Sequence, residues 1–257
     1  HPNEEDYRAN RITAYLNLVK LLVDQQMQKL KQQSFTEDTE LTKYFQLLPE
    51  SHPARPIYHA MQIETNTVIK KQLQELLISY VKPGEIDVNI MSKVDKLNFK
   101  NKVALDRKYS DALAALRGFA NSALHSSVIL SAGMNPHLYT YLAELPVFFP
   151  KANRSFDKKI VLKVSDFRSS LIQAKYLAKR GVWVSEFRVE SGLNCGGHAF
   201  ATDGFLLGPI LEEFKEKKEN LQGELFTIYR DYWAAQGVSL TDSPQIRYTV
   251  QGGVGTA

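Results

Sequence analysis

Two short segments of the chain carry residue types suited to chemistry. Ser191-Gly192-Leu193-Asn194-Cys195-Gly196-Gly197-His198 follows an apolar run, and Gln245-Ile246-Arg247-Tyr248-Thr249-Val250-Gln251 leads into Gly252-Gly253-Val254-Gly255. A glycine pair just past the carboxyl end of a parallel strand lets backbone N–H groups approach an anion such as phosphate with no Cβ in the way. An imidazole beside it exchanges protons near neutral pH. Gly196, Gly197, Gly252 and Gly253 are therefore expected to cradle a phosphate, and His198 to act as the catalytic acid or base. The plainer alternatives are tight turns that need positive φ, and a loop histidine bonded to a carbonyl.

Lys163 stands in the middle of an apolar run, Ile160 to Val164. An ammonium is costly to bury unless it meets an anion, so it either faces a ligand or pairs with Glu190 on a neighbouring strand. Cys195 has no second cysteine and no Ser-His-Asp order to support acyl chemistry; it reads as a small thiol fitted beside glycines. Trp183, Phe187, Phe200 and Phe205 read as core and pocket wall, and His52, His59, His125 and His137 as structural or surface residues. No His, Cys, Asp or Glu cluster has metal-ligand spacing, so no metal is expected.

The remaining composition bounds these readings. A chain of 257 residues, 44% hydrophobic and 23% charged, holds one large core or two small ones. Its 32 basic and 28 acidic residues are interspersed, which does not make a nucleic-acid footprint despite a net charge of +4. A single cysteine excludes an internal disulfide. Apolar stretches such as Leu16 to Val23 fall well short of the roughly 20 residues a bilayer helix requires, and His1 to Asn10 lacks the apolar region of a secretory signal. A cytoplasmic protein with a small-molecule substrate is expected, with no membrane or nucleic-acid partner.

The elements that must position these residues fall into two regions. Over residues 1–82, Ile12, Leu16, Val19, Leu22, Val23 and Met27 recur at helical spacing and predict a helix from Asp6 to Gln33. Pro49, Pro53 and Pro56 predict a surface connection, and Ile69, Leu73, Leu76 and Leu77 a second helix from Glu64 to Val81. Over residues 83–257, strand and helix alternate: strands at Ile86 to Val94, Ser126 to Ala132, Lys159 to Val164, Val182 to Val189 and Ile246 to Val250, with helices at Asp111 to Ala123, Pro136 to Leu145, Ser169 to Arg180 and Pro209 to Gln236. Such alternation predicts an α/β fold with parallel strands, either a doubly wound sheet or an eight-stranded barrel, and both place chemistry at the carboxyl ends of the strands. No G-x-G-x-x-G marks a first strand-to-helix turn, which points away from a dinucleotide-binding sheet.

On these residues the chain resembles the flavin-dependent nitronate monooxygenases and the flavin enoyl-thioester reductases, and more distantly the flavin domain of glutamate synthases. Gly196-Gly197-His198 matches their Gly-Gly-His element, Gly252-Gly253-Val254-Gly255-Thr256 their phosphate loop, and Asp87-Val88-Asn89-Ile90 the strand whose asparagine lies against the flavin. The resemblance covers residues 85 to 257. It implies a (β/α)8 TIM-type barrel, its final strand missing, with an N-terminal helical extension. It also implies FMN as cofactor, His198 as the proton-transfer residue, and Asn89, Lys163 and Ser191 as further flavin contacts. The expected activity is an FMN-dependent oxidoreductase acting on a nitronate or an unsaturated acyl thioester. A phosphate-binding lyase, isomerase or synthase without flavin, and a non-enzymatic metabolite-sensing or scaffolding barrel, are the alternatives.

Overall fold

The computed structural model of the chain describes residues 6–91, 95–151, 155–190 and 207–252. The chain divides into two compact units, residues 17–84 and residues 1–16 with 85–257. The boundary therefore falls inside the first helix, α1 (Tyr7–Lys31), and the first sixteen residues group with the sheet rather than with the remainder of the helical region.

The smaller unit is all helical. The second half of α1 is joined by α2 (Glu40–Gln46), α3 (Ala54–Ile63) and α4 (Thr67–Tyr80). Thr39 caps α2 by accepting from Thr42 N, and Asn66 caps α4 by accepting from Val68 N and Ile69 N. The core is Leu41, Phe45, Ala54, Tyr58, Met61, Leu77 and Val81, with the Phe45 and Tyr58 rings stacked at 5.6 Å. The proline-bearing stretch expected as a surface connection holds α3. Pro53 occupies its N-cap and Pro56 its first turn, where an N–H has no intrahelical acceptor and the ring costs nothing.

In the larger unit the strands β1 (Val88–Ile90), β4 (Ser127–Leu130), β5 (Lys159–Val164), β6 (Val184–Glu190) and β7 (Arg247–Gln251) form one parallel sheet in the order β1-β4-β5-β6-β7. A two-stranded antiparallel hairpin, β2 (Phe99–Lys100) with β3 (Val103–Ala104), precedes α5 (Asp111–Ala120). The crossovers continue through α6 (Pro136–Leu142), α7 (Phe167–Ala178) and α8 (Leu207–Ala235). Each new strand is laid on the same side of the last, so the sheet has no point at which the winding reverses. That excludes the doubly wound alternative over these strands. The fold is α/β; the expected (β/α)8 TIM-type barrel with its final strand missing is not shown, since the sheet of the described residues has five strands, with β1 and β7 at its edges.

The two faces of this sheet differ. Val88, Ile90, Val128, Leu130, Ile160, Leu162, Phe187 and Val189 share one face and belong to the main core with Leu116, Leu177, Leu221 and Phe214 from the helices. On β6 the pairing shifts by one residue next to Ile160, which turns Glu186 onto the opposite face in line with Val161. Trp183 and Phe187 lie in the core as expected, packed against Tyr229 and against Phe214 and Tyr248.

Candidate functional site

The face turned away from the helices carries the charge. The register aligns Asn89, Ile129, Val161, Glu186 and Arg247 in one row, and Lys163, Arg188 and Thr249 in the next row toward the carboxyl ends. Glu190 and Gln251 form the last row before the strands end. Charged residues at Glu186, Arg188 and Glu190 alternate with apolar Phe187 and Val189, as a strand with one polar face requires.

These side chains form two ionic clusters. Lys163 Nζ lies 3.0 Å from Glu190 Oε1, with only 4% of the Glu190 side chain exposed. The cross-strand pair of Lys163 with Glu190 is present. In the second cluster Glu186 Oε1 accepts from Arg188 Nε at 3.0 Å, Arg188 Nη2 at 2.8 Å and Thr249 Oγ1 at 2.7 Å, while Arg247 Nε stands 3.4 Å from Oε2. Arg188 Nη2 also lies 4.0 Å from Asp87 Oδ2. Asp87 is fixed by accepting from Ser127 N at 2.9 Å. In a flat sheet Arg188 and Asp87, three strands apart and four residues offset, would be roughly 14 Å apart laterally and roughly 13 Å along the strands. Their approach shows that the sheet is not flat between β1 and β6.

Ion pairs on a sheltered sheet face are an unusual investment for stability alone, since apolar packing there is often equal or better. Lys163, Arg188 and Glu190 lie in the carboxyl halves of β5 and β6, whereas Glu186 lies in the amino half of β6, Arg247 opens β7 and Asp87 precedes β1. The strand ends complete the geometry. Glu190 is opposite Gln251, so the chain leaves β6 toward residue 191 and leaves β7 toward residue 252 at the same level on neighbouring strands. Gly252 adopts φ +70°, a conformation that favours glycine and turns the backbone sharply at the strand tip.

Of the residues singled out from the sequence, Asn89 lies on the polar face and is exposed, Lys163 lies beside Arg188, and Gly252 stands at the tip of β7. His198, Ser191, Gly196, Gly197 and Gly253, with Cys195, lie outside the described residues. Sequence reasoning missed Glu186, Arg188, Thr249 and Asp87. The signal was available: a buried parallel strand reads as a continuous apolar run, and Val184-Ser185-Glu186-Phe187-Arg188-Val189-Glu190 breaks that rule at every second position. His59 and His125 are exposed beside Glu50 and Asp157, and His52 Nδ1 accepts from Ala54 N. Among the described residues no helix is long and apolar enough to cross a membrane.

Compared with family models, with curated proteins and with solved structures, the chain matches none.

Proposed function

We propose that the chain is the catalytic portion of a cytoplasmic FMN-dependent oxidoreductase, acting on a nitronate or an unsaturated acyl thioester, on a (β/α)8 barrel to which the five parallel strands contribute an arc. The observation that carries this reading is the juxtaposition of the β6 and β7 tips. β6 and β7 end side by side, each followed in sequence by glycines whose residue type suits a phosphate, with Gly252 in a backbone conformation that glycine favours. The residue types suit the group. The amides of Gly252 and Gly253, with those of Gly196 and Gly197, would hold the phosphate; Asn89, Lys163 and Ser191 would meet the ring system. Bound flavin would supply hydride or single-electron transfer.

The chain's own contribution is proton handling and orientation. His198, eight residues past the end of β6 in sequence, would take a proton from the carbon next to a nitro group or deliver one to a reduced substrate. Glu190 pairs with the Lys163 ammonium at 3.0 Å on the same side of the sheet as Asn89.

A second reading, a lyase, isomerase or synthase for a phosphorylated metabolite, is favoured by the same Lys163–Glu190 pair, because an ammonium already neutralised by a carboxylate has less to offer a reduced flavin. The visible spectrum of the purified full-length protein separates the two. Flavin absorbance is expected, and His198→Ala is expected to keep the flavin while turnover falls roughly 100- to 10,000-fold. A colourless protein that takes up no added FMN but binds inorganic phosphate would replace the first reading with the second.

A further inference from the structure

The β2–β3 hairpin is tied down at its base and exposed at its tip. Leu105 N donates to Asn98 O at 2.9 Å, and Asn98 Nδ2 donates to Tyr109 O at 2.6 Å and to Asp111 Oδ1 at 3.0 Å. Arg8 pairs with the same Asp111 carboxylate at 2.7 Å, and Asp111 N donates to Lys96 O at 3.0 Å. Beyond these bonds the chain reverses through Asn101 at φ +51° and Lys102 at φ +67°, the two left-handed residues of a tight hairpin turn. The register opposes Phe99 to Ala104 and Lys100 to Val103, and directly opposed residues share a face. Phe99 and Val103, 62% and 69% exposed, therefore project from opposite faces of the ribbon. Residues 96–108 carry five exposed cations, Lys96, Lys100, Lys102, Arg107 and Lys108, against the single carboxylate of Asp106. That excess of four equals the net charge of the whole chain, so the remaining residues balance.

We propose that this hairpin docks the protein on an anionic bilayer surface, entering the headgroup layer tip first. Charge complementarity selects an anionic partner, and the placement of the apolar side chains selects a fluid one. A protein or nucleic-acid surface laid against the ribbon covers one face and leaves either Phe99 or Val103 in water. An interface penetrated by the tip covers both at once. Lys100 and Lys102 are long enough to keep their stems beside these residues while their ammonium groups return to the level of the lipid phosphates. Lys96, Arg107 and Lys108 stand behind them at the base, adding to the attraction of a negatively charged leaflet. Contact of this kind is peripheral. It needs no spanning helix, so the length of apolar runs, which pointed away from a membrane, does not report on it. The inference is independent of the flavin reading, since it uses neither the parallel sheet nor its strand tips.

The test is co-flotation of the full chain with vesicles of phosphatidylcholine alone and of phosphatidylcholine holding about 30 mol% phosphatidylserine. Saturable binding to the anionic vesicles is expected, at least about tenfold tighter than to the neutral ones and weakened by added salt. The double variants Lys100→Gln/Lys102→Gln and Phe99→Ser/Val103→Ser are each expected to lose at least about tenfold in affinity. Their unfolding midpoints should stay close to wild type, because all four side chains are exposed. In Phe99→Trp, the emission added to that of Trp183 and Trp233 should shift to the blue on anionic vesicles. Equal binding to both vesicle types, an unshifted emission from vesicle-bound Phe99→Trp, or undiminished binding by Phe99→Ser/Val103→Ser would each overturn the proposal. So would tighter binding to a single-stranded oligonucleotide than to the anionic vesicles, which would assign the cations to a nucleic acid. Should a double variant fail to fold, the vesicle preference of the wild-type protein and the emission of Phe99→Trp decide.

Discussion

Lys158 shows how one side chain couples burial to pH. It is 3% exposed, and its ammonium donates to Ser122 O at 2.9 Å and Leu124 O at 2.5 Å and lies 4.6 Å from the centre of the Phe119 ring. Loss of hydration pulls its pKa down to about 8, with Asp157 opposing the fall. Between pH 8 and the ordinary value near 10.5 the unfolded chain holds a proton that the folded chain has released, so Lys158 makes stability rise with pH across that window. The rise is at most about 3 kcal/mol and is absent below pH 8, where both states are protonated. Tyr139, Tyr229 and Tyr248 act in the opposite sense at higher pH, since burial raises all three phenols. Denaturant unfolding of wild type and Lys158→Met from pH 7 to 10.5 isolates the effect: the difference in stability should change with pH only above about pH 8, and parallel profiles would contradict it. At this scale the sequence was informative where a residue broke a local rule, as Lys163 does within an apolar strand. The alternation of Glu186 and Arg188 with apolar residues on β6 broke such a rule too, but their partners Thr249 and Asp87 lie on other strands and only the register brings them to the same face.

At the scale of elements, apolar periodicity located most helices and strands of the larger unit within two or three residues, because each crossover helix buries a single stripe and each strand is bounded by turn residues. Short elements escaped. The helices α2 and α3 are only a turn or two of regular spacing, stabilised by the Phe45, Tyr58 and Leu77 cluster rather than by intrinsic preference, and the β2–β3 hairpin exposes its side chains. The turn from α7 into β6 is the most constrained of the junctions that aim the polar strand. Gly181 has φ +74°, and a Cβ there would come within 2.2 Å of the Tyr232 ring on α8. Gly181→Ala combines a left-handed backbone with overpacking and is expected to destabilise the protein by roughly 2–4 kcal/mol. The midpoint of urea unfolding reports it, and a loss under about 0.5 kcal/mol, the range of an ordinary surface change, would mean that the junction is not as tightly fitted as described.

For the whole molecule, the alternation of strand and helix in the sequence indicated parallel strands, and the observed order extends that to winding in a single direction. The five apolar strand runs read from the sequence are the five strands that the described residues join in one sheet, whereas the further strands implied by the family resemblance are not among them. Nor did apolar periodicity reveal that α1 serves two cores, as a stripe of Leu and Val looks the same whichever unit buries it. What the order does establish is neighbourhood: β6 and β7 are adjacent and parallel and end at the same level, Glu190 opposite Gln251. The most direct test of the claim that the glycines following them in sequence hold a flavin phosphate is an equilibrium titration of the full-length protein with FMN, wild type beside Gly252→Val. One-to-one saturable uptake by wild type, weakened at least about tenfold when a Cβ and a strained backbone are introduced at the β7 tip, is the predicted result. Failure of the wild-type protein to take up FMN, or equal affinity in the variant, would contradict it.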